Sequence, residues 1–253
     1  MAFIDCRGVK IFYRSSGSGP AILLSNGFGA TSAMWDGQIT ALAADCQLIC
    51  WDMRGHGDSD SPDDPAAYSE MHTVDDMAAI LNACGATRAV IGGLSLGGYM
   101  SLAFNLKYPQ MVRALMLFDT GPGYKSDEAR AGWNVTSEKT AAAFERKGLA
   151  ALSNSEETKL GAHRSAHGLS LAALGMLRQF DARIINSLPD IQVPTLVLAG
   201  ANDKPFLGAT DYMAAKIPNS TKALIPDAGH AANIHQPVAF NAAVRSFLQG
   251  LPD

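Results

Sequence analysis

Two kinds of spacing between apolar residues alternate along the chain. Short, continuous apolar runs occupy positions 21–25, 47–51, 89–92, 114–118, 195–199 and 222–225 and are mostly rich in Val, Ile and Leu. Runs this short are the mark of strands buried on both faces, as in a parallel sheet. Between them the apolar residues recur at helical spacing, as with Val74, Met77, Ile80 and Leu81 within 73–84, and again over 99–107 and 238–248. Two further segments, 3–6 and 9–13, bracket Arg7-Gly8 with β-branched and aromatic residues, which predicts a hairpin. Strand alternating with helix predicts an α/β fold whose mostly parallel central sheet is flanked by helices.

The alternation stops between positions 121 and 187. No strand-like run occurs there, and alanine-rich helical segments lie at 138–146 and 169–180. We expect a helical cap inserted after the strand ending near Phe118, with 1–120 and 188–253 forming the core and 121–187 the cap. Ligands of open α/β sheets bind outside the carboxyl ends of the strands, so an insertion entering there would lie over the site.

Composition narrows the function. The 253 residues carry 20 Lys and Arg against 24 Asp and Glu, a formal charge of −4, with 47% hydrophobic and 17% charged residues, which excludes disorder. No run of Lys or Arg offers a footprint for nucleic acid or an anionic membrane. No stretch approaches the roughly 20 apolar residues of a membrane span, and the first residues do not resemble a signal peptide, so a cytoplasmic location is expected. Cys6, Cys46, Cys50 and Cys84 form no CxxC pair and read as reduced packing residues rather than a disulfide framework or metal site. The expected partner is a small molecule, and nothing bears on the oligomeric state.

The candidate chemistry lies at the carboxyl ends of the predicted strands. Gly93-Leu94-Ser95-Leu96-Gly97 follows the run 89–92 and precedes a helical pattern. A serine on so sharp a strand-to-helix turn is a nucleophile presented above the sheet, with small residues required two places either side. Its neighbour Leu96 would offer a backbone N–H to an oxyanion at a helix N-terminus. A serine hydroxyl needs a base, and His230 is placed in the loop after the last strand. His235 reads as a helix-face residue, His72 as a surface residue, and His163 and His167 as solvated or pocket-lining. Asp203, in the loop after the run 195–199, is the candidate carboxylate to orient His230, with Asp119 its rival and Asp227 a turn residue. The loop Asn26-Gly27-Phe28-Gly29 would supply a second oxyanion donor, the N–H of Phe28. Candidate pocket residues are Asn26, Tyr99, Trp133, Phe144, Met176, Phe206 and Leu207, with Leu177 a further apolar candidate, and the Asn26 side chain could either reach the substrate or hold its own loop. Lys204, Arg130, Arg164 or His163 could meet a substrate carboxylate.

With these pieces goes Asp52-Met53-Arg54-Gly55-His56-Gly57-Asp58-Ser59. Together the motifs resemble the α/β-hydrolase family over essentially the whole chain. The short length, the Met34-Trp35 pair and an asparagine before the oxyanion glycine make it similar to 3-oxoadipate enol-lactonases and small esterases. The resemblance implies a Ser95, Asp203, His230 triad that needs no metal or organic cofactor and cleaves a small ester or lactone. It also implies that Arg54 and His56 hold loops. Serine at 95 sets the chain apart from relatives with an aspartate nucleophile, the haloalkane dehalogenases and epoxide hydrolases. A carbon–carbon hydrolase or a cofactor-free perhydrolase would use the same three residues, and a non-catalytic binder of small ligands would use only the pocket.

Overall fold

The protein is described here by a computed structural model covering residues 1–252. β1 (Ala2–Cys6) and β2 (Val9–Ser16) form the expected hairpin. Its turn residues Arg7 and Gly8 have φ of +60° and +82°, the left-handed pair that matches the twist of a two-residue connection. The sheet continues through β3 (Ala21–Ser25), β4 (Gln47–Trp51), β5 (Ala89–Leu94), β6 (Val112–Phe118), β7 (Thr195–Gly200) and β8 (Ser220–Ile225). Its order is β1-β2-β4-β3-β5-β6-β7-β8, antiparallel at the first two pairings and parallel at the rest. Every residue of β3, β5 and β7 is buried. Helices cover both faces there, so no solvent side exists to impose alternation.

α1 (Asp36–Leu42), α2 (Glu70–Ala83) and α3 (Leu96–Lys107) follow β3, β4 and β5. Between β6 and β7 the described residues form no strand but four α-helices: α4 (Asp127–Lys147), α5 (Glu156–Lys159), α6 (Ala166–Ala172) and α7 (Arg183–Ser187). α8 (Lys204–Lys216), α9 (Ala232–His235) and α10 (Pro237–Gln249) complete the chain. Val74, Met77, Met100 and Phe104 pack one face of the sheet against Ile49, Ile91 and Leu117. Trp35, Leu42, Phe240 and Val244 pack the other against Leu24, Leu48 and Phe118.

Two helices depart from the sequence pattern. α4 begins eleven residues before the segment expected from 138, because Ser126 Oγ accepts the Ala129 N–H at 3.1 Å and Asp127 and Glu128 occupy the first turn. The expected helix 169–180 instead ends early: α6 widens into a π-type turn over Ala173–Leu177, and Arg178 is extended. Gly175 comes so close to Tyr68 there that a Cβ would stand 2.2 Å from the Tyr68 carbonyl oxygen. α4 satisfies the freed backbone: Trp133 Nε1–H donates to the Leu177 carbonyl at 2.6 Å, and Asn134 exchanges two hydrogen bonds with the backbone of Gln179.

The loop after β4 is anchored by one buried ion pair. Arg54 Nε and Nη2 donate to the two Asp76 oxygens at 2.7 and 2.8 Å, and the remaining donors reach the Ala67 and Cys6 carbonyls at 3.1 Å. Both side chains are almost wholly buried, so removing one leaves the other charge stranded. Arg54→Met is expected to cost about 3–5 kcal/mol in urea unfolding, and Arg54→Met with Asp76→Leu to recover most of it. An unchanged midpoint in the single variant would show that the pair does not hold the fold.

Candidate active site

Ser95 joins β5 to α3 with φ of +56° and ψ of −114°, a conformation non-glycine residues adopt only when the surroundings impose it. Its N–H donates to the Phe118 carbonyl at 2.9 Å, and its own carbonyl accepts Thr120 Oγ1–H at 2.6 Å and the Gly98 N–H at 3.0 Å. A Cβ on Gly93 would lie 2.5 Å from the Gly97 backbone, and one on Gly97 would lie 2.2 Å from the Ser25 carbonyl oxygen. The spacing of small residues is therefore a packing requirement of β3 and α3 meeting under the serine.

The loops after β7 and β8 bring Asp203 and His230 together, with Nδ1 of the ring 2.8 Å from Asp203 Oδ2. Asp203 is buried, while the His230 side chain keeps 32% of its surface exposed. A ring that donates Nδ1–H to a carboxylate leaves Nε2 free as a base. Beneath them Asp119, fully buried at the end of β6 with φ of +44°, accepts the Gly200 N–H at 2.7 Å. Its other oxygen is buried without a hydrogen-bond partner. Burial, and next the charge of Asp203, push the Asp119 carboxyl up to about 8. Donor atoms of Asp119, Asp203 and His230 lie within 4.8 Å of one another, the one such trio among the described residues that could hold a metal ion. Hydrogen bonds already engage His230 Nδ1 with Asp203 Oδ2 and Asp119 Oδ1 with the Gly200 N–H.

Asn26 does not line the cavity; it holds the loop instead. Its fully buried amide donates to the Gly27 and Ala30 carbonyls at 3.0 and 2.6 Å. A Cβ on Gly27 would stand 3.5 Å from the Ser95 Cβ, so this loop lies directly against the serine. Among the described residues the Phe28 N–H donates to no backbone carbonyl. The Leu96 N–H, in the first turn of α3, has no partner within the helix by position.

A cavity of about 640 Å³ opens on Ser95. Tyr99, Trp133, Met176, Leu177 and Phe206 line it, and the Phe206 ring stands 4.8 Å from that of His230. Two other expected pocket residues lie elsewhere. Phe144 is buried edge-on against Phe28, 6.0 Å between ring centroids, behind the loop rather than in the cavity. Leu207 follows Phe206 on α8, and consecutive helical positions face about 100° apart, so it falls off the lining.

The expected carboxylate contacts are also spent elsewhere. Arg130 donates to the Tyr124 and Lys125 carbonyls and pairs with Asp127, and Arg164 pairs with Asp58 at 2.6 Å. Lys204 is exposed and off the lining. His163 is neither solvated nor in the cavity: it is buried between two backbone groups. His235, read as a helix-face residue, accepts the Gly229 N–H at 2.9 Å and so braces the loop that carries His230. Thr120, Lys125 and Gln179 line the cavity without having been marked by the sequence. Only the residue after Asp119, at a strand's carboxyl end, carried a usable signal.

The chain is similar to known hydrolases in sequence and in fold. The sequence model of the alpha/beta hydrolase fold matches residues 20–186. 3-Oxoadipate enol-lactonase 2 of Acinetobacter baylyi is 28% identical over 97% of this chain and 96% of its own. A thermophilic esterase from Thermogutta terrifontis superimposes with a TM-score of 0.81 at 28% identity, covering 98% of this chain and 97% of that one. A structure described as an N-acyl homoserine lactone degrading enzyme has a TM-score of 0.75 and 29% identity over 97% of this chain and 100% of its own. With a strained serine at the strand-to-helix turn, an eight-stranded mostly parallel sheet and a family match over residues 20–186, the chain belongs to the alpha/beta hydrolase fold family.

Proposed function

We propose that this protein is a serine hydrolase that cleaves a small, neutral carboxylic ester or lactone through an acyl-enzyme. The observation that carries the reading is the His230–Asp203 pair at the carboxyl edge of the sheet, beside a cavity opening on Ser95. His230 Nε2 takes the Ser95 proton as Oγ attacks the carbonyl carbon. The N–H groups of Phe28 and Leu96 hold the oxyanion. Collapse of the tetrahedral intermediate expels the alkoxide, which leaves with the proton from His230. Water, deprotonated by the same ring, then attacks the acyl-enzyme, and Ser95 leaves with its proton restored. Asp203 keeps the ring in the Nδ1–H tautomer and stabilises the imidazolium that forms twice in each cycle.

The wall of the cavity favours a neutral substrate. Its polar side chains are largely engaged with the protein: Trp133 with the Leu177 carbonyl, Tyr99 with Glu70 at 3.1 Å, Thr120 with the Ser95 carbonyl and Gln179 with the Tyr124 N–H at 3.1 Å. Lys125, the one cation among the described lining residues, is solvent-exposed and stands 5.9 Å from the Tyr212 ring. A carboxylate carried inside would lose water without gaining a buried counter-charge. An acyl homoserine lactone is neutral, whereas an oxoadipate enol-lactone carries a carboxylate.

The test compares p-nitrophenyl hexanoate with the p-nitrophenyl half-ester of adipate, equal in length but ending in a carboxylate. The neutral ester is expected to have the higher kcat/KM by about 100-fold or more. Equal or reversed preference would remove the neutral-substrate reading, and turnover undiminished in Ser95→Ala would remove the serine mechanism.

A further inference from the structure

His163 ties the helical segment between β6 and β7 to the loop after β3. Its Nδ1 accepts the Gly57 N–H at 3.1 Å, so the neutral ring carries its proton on Nε2 and gives it to the Gly29 carbonyl at 3.0 Å. Burial holds the ring below the ordinary histidine range, against the pull of the Gly29 carbonyl and Asp52. With both nitrogens engaged, the ring has one orientation.

Other contacts converge on the same loop from the same segment. Gly29, at φ of +75°, has Leu152 and Thr158 so near that a Cβ would meet them at 3.3 and 3.7 Å. A Cβ on Gly161 would stand 2.0 Å from Thr31 Oγ1. The Phe28 ring is held edge-on between Phe144 at 6.0 Å and His56 at 5.2 Å, and His56 in turn lies 5.7 Å from His163. Residues 144–163 thus form the back of a loop whose front lies against Ser95.

We propose that His163 is a positioning residue for the oxyanion site: by holding the Gly29 carbonyl and the Gly57 N–H together, it sets where the Phe28 N–H stands relative to Ser95. The inference rests on the reading of Phe28 and Leu96 as oxyanion donors. It gives the segment after β6 a second task besides walling the cavity, that of supporting the reacting centre from behind. A displaced donor weakens the transition state and leaves ground-state binding almost untouched, so the effect falls on kcat.

The experiment uses the full chain with His163→Gln and His163→Asn, assayed on p-nitrophenyl hexanoate. A glutamine amide can replace both ring nitrogens, while an asparagine oxygen can take the Gly57 N–H but its amide falls short of Gly29. His163→Asn is expected to lower kcat on the order of 10- to 100-fold with KM nearly unchanged, and His163→Gln to restore kcat to within a few-fold of wild type. Affinity for hexylboronic acid, whose serine adduct resembles the tetrahedral intermediate, should fall in step with kcat. If His163→Asn does not fold, His163→Met fills the ring's place without either hydrogen bond and serves instead. Unchanged kcat in a folded variant lacking the Gly29 bond, or a loss confined to KM, overturns the inference and leaves the hydrolase reading standing. A wild type that turns over no ester overturns both.

Discussion

Ser95→Ala is expected to lower kcat for p-nitrophenyl hexanoate by on the order of 10⁶-fold, with no acyl adduct detectable by intact-protein mass spectrometry. Alanine keeps the Cβ and the backbone bonds from Ser95 N–H to Phe118 and from Thr120 Oγ1–H to the Ser95 carbonyl. It removes only the oxygen that attacks. Alanine also keeps the strain of φ +56°, whereas glycine would not. Ser95→Gly should therefore be equally inactive yet more stable than Ser95→Ala by about 1 kcal/mol, or roughly 2–4 °C in Tm. A glycine variant no more stable than alanine would mean that the turn is not strained as its dihedral angles imply. Turnover in Ser95→Ala within about tenfold of wild type would mean that another group is the nucleophile.

Asp203→Asn is expected to lower kcat by about 10⁴-fold, because an amide facing Nδ1 favours the wrong tautomer and cannot stabilise the imidazolium. Asp119→Asn should cost far less, about tenfold at most, since Asp119 bonds the Gly200 N–H and the ring's partner is Asp203. Large loss in Asp119→Asn with little in Asp203→Asn would exchange their roles. The second carboxyl also has a signature in stability. Its folded-state value, pushed to about 8 by burial and by Asp203, lies above the ordinary 3.8. The folded protein therefore holds a proton that the unfolded chain releases, so this contribution is complete below about pH 4 and is lost as the pH rises to about 8. Asparagine has no such proton. The Tm of Asp119→Asn relative to wild type should rise across that window and level off above it. A difference independent of pH would show that Asp119 is ionised throughout.

The elements were legible wherever they depend on near neighbours in the chain. Arg7-Gly8 announced the hairpin, the apolar run at 89–92 announced β5, and Gly93, Ser95 and Gly97 announced the turn whose close approaches the structure reveals. α8 went unmarked, since Gly208 and the polar residues around it blur a helical stripe, and its start is fixed by Pro205 in the first turn. The helix expected over 169–180 failed for a different reason: Gly175 docks on Tyr68, a residue more than a hundred positions away, and periodicity within the segment carries no trace of that contact.

The sequence by itself determined the order of strands and helices, the sharp turn at Ser95 and the candidates Asp203 and His230, because spacing and turn chemistry act over a few residues. Only the tertiary structure decided which side chains face the cavity and which support the loops. Phe144 moved from a pocket candidate to a support of the loop after β3, Asn26 took the loop-holding one of its two readings, and His163 moved from a solvated or pocket-lining face to a buried tie. A side chain's partner is set by which distant segments pack against it, and the hydrogen bonds that join His163 to loops over a hundred residues earlier leave no periodic mark in the chain.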